Sequence, residues 1–312
     1  MSLVDVVLLV ISLGLLWKGA DLVVHTAARL AHRFGLSDLV IGMTLVALGT
    51  SAPEIVVTLV AGLKGKADIA LGNVVGSNVF NMGFILGATA VLRTCPIHPI
   101  LVRRDGPVLL GACLLLLAFI WDGELARHEG FTLAAIFLVY LIYLFRREEA
   151  SLEESEVPAG LGTARDGPLL LIGLCALVGG GHLLVESASA LARTIGVADW
   201  AIGVTVVAAG TSAPECATCI VAVLRGRHSM AIGNLIGSDL FNVLGVLGLA
   251  GIVCPLTVQP IAAGSVMLMV AMVGTVLVFM RSGWQLTRGE GLALIAFALL
   301  RWSRDVAPDL WS

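Results

Sequence analysis

A 46-residue block occurs twice in this chain, 161 residues apart (203 minus 42), with no gap needed to align the copies. GMTLVALGTSAPEIVVTLVAGLKGKADIALGNVVGSNVFNMGFILG runs from Gly42 to Gly87, and GVTVVAAGTSAPECATCIVAVLRGRHSMAIGNLIGSDLFNVLGVLG from Gly203 to Gly248. Of the 46 positions 23 are identical, mostly Gly, Ser, Thr, Asn, Pro and Glu. The match continues upstream at the same offset, where Gly19, Ala27, Leu30, Ala31, Gly35 and Asp38 meet Gly180, Ala188, Leu191, Ala192, Gly196 and Asp199. The fold must therefore be assembled from two like units, each containing a strongly polar segment.

Those polar segments lie in a chain of 312 residues that is 58% hydrophobic and 13% charged, with a mean hydropathy of +0.99. Such a composition is that of an integral membrane protein. The apolar stretches are mostly near the ~20 residues that a helix needs to cross a bilayer, and are too long for barrel strands. Ten spans are expected, at 3–27, 39–63, 68–92, 106–121, 131–145, 167–191, 200–224, 229–253, 260–280 and 289–302. The first has no basic flank or cleavage site and has a counterpart near residue 170, so it reads as a helix of the mature protein. The expected fold is an all-α polytopic membrane protein with five-helix repeats at 1–147 and 167–312, joined by an acidic, Pro- and Gly-containing linker at 148–166.

Five spans per unit is an odd number, so the second copy enters the membrane from the opposite side: the repeats are inverted, as in many secondary transporters. With both termini outside, the inner loops hold about twice as many Lys and Arg as the outer ones, which favours that orientation. No basic cluster suggests nucleic acid, and the net charge of −3 carries no information about it. The six cysteines fall mostly in apolar stretches and act as small hydrophobes. Cys216 and Cys219 form a CxxC inside a helix, with no second pair to complete a metal site. His32, His98, His128 and His228 fall in expected loops and carry no signal.

Glu54 and Glu215 sit within spans, where a carboxylate costs roughly 2.5–3.5 kcal/mol on insertion scales. No basic residue on either helix compensates them. Two acids meeting at a pseudo-twofold axis, with hydroxyls and amides around them, would form a hard-oxygen cation site. A protonated pair serving helix packing and a proton relay are the other readings. Just ahead of each acid, Pro53 and Pro214 lack an N–H and clash with the carbonyls of Gly49 and Gly210, so each helix should break and free carbonyls around Ala47 to Thr50 and Ala208 to Thr211. On the following helices, Asn73, Ser77 and Asn81 are four apart and share one face, as do Asn234, Ser238 and Asn242.

The paired GTSAPE and GNxxGSxxFN blocks resemble the two α-repeats of the sodium/calcium exchanger branch of the calcium/cation antiporter superfamily. The resemblance covers about 90 residues with high specificity. It implies a shared Ca²⁺ and Na⁺ site between the halves, with Glu54 and Glu215 as carboxylate ligands. Thr50, Ser51, Thr211 and Ser212 would add hydroxyl or carbonyl oxygens, Ala47 and Ala208 carbonyls, and Ser77, Asn81, Ser238 and Asn242 the facing wall. Potassium-dependent members typically carry Asp where this chain has Asn242, so the amide argues against K⁺ dependence.

The expected function is Na⁺/Ca²⁺ antiport by alternating access, with the first and sixth spans moving across a fixed core. The lipid bilayer is the surroundings and no cofactor is expected; a bacterial or archaeal cytoplasmic membrane is the expected location. A Ca²⁺/H⁺ exchanger using the same glutamates is the alternative. A membrane enzyme is disfavoured because no nucleophile, base and orienting group occur together, and a channel because a midplane site between inverted repeats suits alternating access. Two ionisable sets remain. Asp239, opposite Asn78 in the alignment, lies about 60° from Asn242 on a helical wheel; it is either a peripheral ion or proton group or faces an interhelical partner. Lys18, Asp21 and His25 share a face of the first helix, as do His182 and Glu186 of the sixth, which suggests salt bridges within each helix.

Overall fold

A computed structural model describes residues 3–146, 163, 165–194, 208–259 and 261–306. Most of the linker, the positions of Gly196 and Asp199, and the first part of the span expected at 200–224 lie outside the described residues. The helices are α1 (Leu3–Phe34), α2 (Asp38–Thr50), α3 (Ala52–Leu63), α4 (Ala67–Leu92), α5 (Leu101–Asp122) and α6 (Arg127–Arg146). They continue with α7 (Asp166–Thr194), α8 (Ala208–Thr211), α9 (Ala213–Leu224), α10 (His228–Val253), α11 (Ile261–Arg281) and α12 (Arg288–Val306). Among the described residues seven helices are long and apolar enough to span a membrane, or eight with α2 and α3 as one bent span. This is an all-α polytopic membrane fold.

Helix ends follow local chemistry. α3 stops where Gly65 adopts φ +68°, its N–H bonding the Gly62 carbonyl and the Lys66 N–H that of Ala61. The equivalent Gly226, at φ +76°, ends α9 through the Val223 and Ala222 carbonyls. Both are left-handed caps that a residue without a Cβ adopts readily. α1 is longer than expected and runs to Phe34, because nothing between residues 27 and 34 interrupts it.

Two helices form the centre. In α4 and α10 the most apolar stretches are 72% and 78% buried, against 22–39% in the other long helices. They are enclosed by helices of the other half: α6 crosses α10, where a Cβ on Gly248 would lie 2.9 Å from the Ala134 backbone, and α12 crosses α4, where one on Gly87 would lie 2.8 Å from the Gly291 carbonyl. Small residues let these backbones approach in an environment where packing holds helices together. Outside the core, α1 packs lengthwise on α7, with Gly19 against Gly173 and Gly180 against Leu16.

Four two-residue strands tie the halves together. β1 (Cys95–Pro96) pairs antiparallel with β4 (Gln285–Leu286), and β2 (Glu124–Leu125) with β3 (Leu256–Thr257). Each ladder joins one strand from each half. Ion pairs do the same: Arg29 with Asp166, Asp38 with Arg227, and Asp21 with Arg225. The Asp21 pair corrects the expectation of a bridge within the first helix; the end of α9 brings a guanidinium within 2.5 Å of the carboxylate. Both Cys216 and Cys219 are free thiols, and Cys219 Sγ lies 3.3 Å from the Ala231 carbonyl as a packing contact.

Candidate functional site

The two GTSAPE segments break as the prolines require. α2 and α3 meet at 52°, and the break falls on Ser51, with φ −78° and ψ 10°. Its counterpart Ser212 has φ −88° and ψ 10° between α8 and α9. Because the helices restart there, Glu54 and Glu215 lie in the first turns of α3 and α9. A helix N-terminus carries unsatisfied N–H groups and the positive end of the macrodipole, which favours a carboxylate. The acids that looked stranded in the middle of a span are therefore N-terminal residues of helices.

Each carboxylate is bound by the other repeat. The Ser51 hydroxyl donates to Glu215 Oε1 at 2.9 Å, and the Ser212 hydroxyl donates to Glu54 Oε1 at 3.2 Å. Both glutamates are 1% exposed. Their second oxygens, Glu54 Oε2 and Glu215 Oε2, are buried without a protein partner, as are Asn81 Oδ1, Asn242 Oδ1, Ser238 Oγ and the second carboxylate oxygen of Asp239, Oδ2. Such orphaned acceptors are uncommon in a folded interior and need a reason. Oxygens of this kind, three of them from carboxylates, are the donors that a hard cation taking six to eight oxygen ligands requires. Among the described residues no group of three His, Cys, Asp or Glu that could hold a metal ion converges.

The other expected residues are distributed around this centre. Thr50 is fully buried and its hydroxyl lies 3.3 Å from Asn234 Oδ1 of the opposite repeat, while Thr211 is half-buried. Ser77 is buried on α4. Ala208 begins α8. Ala47 differs from expectation: its carbonyl is not freed, because the Ser51 N–H bonds it at 3.0 Å and the Thr50 hydroxyl approaches at 3.4 Å. Proline removes the donor four residues after Gly49, and Ser51 still closes its turn onto Ala47. Asn73 shares the polar face, but its Nδ2 donates to the Thr58 hydroxyl at 3.0 Å and approaches the Glu54 carbonyl at 3.4 Å.

Three features were not legible in advance. α4 and α10 each widen into a π-helical turn, at Phe80–Ile85 and Phe241–Val246, starting one residue before Asn81 and Asn242. π-turns of this kind often accompany functional sites, and only their recurrence at repeat-equivalent positions could have pointed to them. Asp239 is fully buried and faces the other repeat, where its Oδ1 accepts from Asn81 Nδ2 at 2.9 Å. It thus has an interhelical partner at Oδ1, while its Oδ2 is buried without one. Asn78, likewise buried, accepts from Asn242 Nδ2 at 3.2 Å.

A buried, oxygen-lined centre between two broken helices and two polar core helices, built twice over in a polytopic fold, defines a membrane protein organised around small cations. The family model described as "Sodium/calcium exchanger protein" matches residues 4–146 and 168–300, and the chain belongs to that family. It is 35% identical over 320 residues to the inner membrane protein YrbG of Escherichia coli, covering 97% of this chain and 98% of that protein. It is 31% identical over 341 residues to the sodium/calcium exchanger MaX1 of Methanosarcina acetivorans, covering 95% and 97%. Among solved structures, the sodium-calcium exchanger NCX_Mj soaked with Na⁺ and Ca²⁺ superposes with a TM-score of 0.84 at 28% identity, covering 96% of this chain and 98% of that one.

Proposed function

We infer that this protein is a secondary active antiporter that exchanges Na⁺ for Ca²⁺ across a membrane by alternating access. The observation that carries the reading is the set of buried oxygens without partners beside two carboxylates, each already held by a serine of the opposite repeat. Two negative charges are balanced by one Ca²⁺ or by Na⁺ ions, so the two cargoes exclude one another and share one site. The proposed ligands are Glu54, Glu215, Ser51, Ser212, Thr50, Thr211, Ser77, Ser238, Asn81 and Asn242, with the Ala208 carbonyl and the Ala47 carbonyl, the latter through the lone pair that the Thr50 hydroxyl approaches at 3.4 Å and would give up to the ion. Family membership in the sodium/calcium exchangers supports the choice of ions.

The topology that suits this mechanism has ten spans in two inverted five-helix repeats, 1–147 and 167–312 about a linker at 148–166, with both termini outside. The strand ladders agree with that count. Six spans separate β1 from β4 and four separate β2 from β3, even numbers that leave each pair on one side of the membrane. All three cross-half ion pairs then fall on the inner side. α1 and α7, joined lengthwise through glycine contacts, are the pair whose movement across the core would expose the site to alternate sides.

The test is ⁴⁵Ca²⁺ uptake into proteoliposomes under an outward Na⁺ gradient, without K⁺. The expected result is uptake that collapses when the Na⁺ gradient is dissipated. Uptake driven by a pH gradient and indifferent to Na⁺ would overturn the choice of coupling ion and assign H⁺ in its place.

A further inference from the structure

Asparagine is an ambiguous ligand, because only one end of its amide can face a cation. The carbonyl oxygen coordinates and the NH2 group repels, so whatever engages the amide from behind decides whether the residue is a ligand at all. At both core asparagines the NH2 group is the engaged end. Asn81 Nδ2 donates to Asp239 Oδ1 at 2.9 Å, and Asn242 Nδ2 donates to Asn78 Oδ1 at 3.2 Å. Their oxygens, Asn81 Oδ1 and Asn242 Oδ1, are among the buried acceptors left without a protein partner.

The two chains of hydrogen bonds have one origin. Asn78 is itself an amide and could present either end to Asn242. Its Nδ2 is taken by the backbone carbonyl of Asp239 at 3.3 Å, which leaves its oxygen as the acceptor for Asn242. A backbone carbonyl accepts and never donates, and a carboxylate oxygen does the same. Asp239 thus provides two acceptors, one on its side chain and one on its backbone. The first orients Asn81 directly and the second orients Asn242 through Asn78.

We infer that Asp239 is the positioning residue of the ion site, its Oδ1 and backbone carbonyl turning the oxygens of Asn81 and Asn242 towards the cation, while its Oδ2 has no protein partner. This assignment rests on the exchange reading for the identity of the ion. It also gives a reason for the asymmetry between GSNVFN and GSDLFN. A relay made only of amides can reverse as a unit, with every NH2 and oxygen exchanged, whereas a carboxylate at one end accepts only an NH2 and removes the reversed arrangement.

The experiment is equilibrium ⁴⁵Ca²⁺ binding to the purified whole chain in detergent, with Na⁺-driven uptake measured in parallel. Asp239→Asn keeps an acceptor oxygen, as Asn78 provides for Asn242, and should bind Ca²⁺ within about threefold of the unmodified protein. Asp239→Leu has similar bulk and no acceptor, and should weaken binding by roughly 10- to 100-fold, the range typical when a group orienting a metal ligand is removed. In an Asn81→Ala background Asp239→Leu should add little, because the amide it positions is gone. If Asp239→Leu does not insert, Asp239→Ala takes its place in the same cycle. Equal weakening by Asp239→Asn and Asp239→Leu, undiminished binding by the acceptor-less variant, or the same factor of loss with and without Asn81 would each overturn the assignment. Ca²⁺ binding by an unmodified protein that does not exchange it for Na⁺ would refute the exchange reading alone, while absence of binding would refute both.

Discussion

α4 and α10 carry the same motif, GNxxGSxxFN, and are used differently. On α10, Gly233 and Gly237 are seated on the backbone of α2: a Cβ at Gly233 would lie 2.7 Å from the Leu39 carbonyl, and one at Gly237 would lie 2.4 Å from that of Met43. On α4, a Cβ at Gly72 or Gly76 would meet nothing within 4 Å among the described residues, which do not include the counterparts of Leu39 and Met43 at 200 and 204. Asn234 is fully buried whereas Asn73 is half-buried, and Gly72 is exposed. Among the described residues the same small residues are sealed on one wall and uncovered on the other. A protein built on two like halves must break its symmetry in any one state if its site is to be reached from one side at a time, and among the described residues the difference is at the glycine faces while the glutamate pairing stays symmetric.

The symmetric part is tested by the largest effect. Glu54→Gln and Glu215→Gln should each abolish Na⁺-driven ⁴⁵Ca²⁺ uptake, by about 100-fold or more, because each removes one of two charges facing a divalent ion in a low-dielectric site. The variants should still insert and elute as folded protein. If one of them retained near-normal exchange, the two halves of the site would not be equivalent.

The asymmetric part is tested by a pair of alanines. Gly237→Ala forces a methyl against the Met43 backbone and should cost about 1–3 kcal/mol, the usual range for overpacking. Gly76→Ala meets nothing among the described residues and should be neutral, or stabilising by up to about 1 kcal/mol from helix propensity. Thermal unfolding in detergent compares them. Equal destabilisation would mean that the two walls are packed alike.

The smallest effect concerns the rim. Asp21 and Arg225 pair at one end of the molecule, while their equivalents at the other are His182 and Lys64, which cannot form an ion pair of the same kind. The pair is substantially exposed, with side chains 34% and 62% accessible, so Asp21→Asn should cost at most about 1 kcal/mol. The difference should vanish in about 1 M salt, where the Debye length is about 3 Å. A larger cost that persists in high salt would make this contact a structural latch.

Much of the molecule was readable from neighbouring residues. The membrane class follows from stretches of apolar residues, the helix breaks from Pro53 and Pro214, and the candidate acids from their recurrence at one offset. The limits were equally physical. A helical wheel put Asp239 beside the Ser238–Asn242 stripe and could go no further, because what lay opposite was Asn81, 158 positions away in the chain. Proline predicted freed carbonyls, yet Ala47 keeps its bond because the next turn closes through Ser51.

The sequence by itself determined that two like membrane units exist, that each contains a broken helix with a carboxylate, and that each carries a polar stripe one helix later. These are properties of short segments, set by hydropathy, by the missing N–H of proline and by helical spacing. Only the tertiary structure decided that Ser51 serves Glu215 and Ser212 serves Glu54, that Asp239 stands behind Asn81, and that Gly233 and Gly237 of α10 are seated on the backbone of α2. Each of those depends on which surfaces of two separately inserted halves come into contact, and residues some 160 positions apart acquire partners only when the halves interlock.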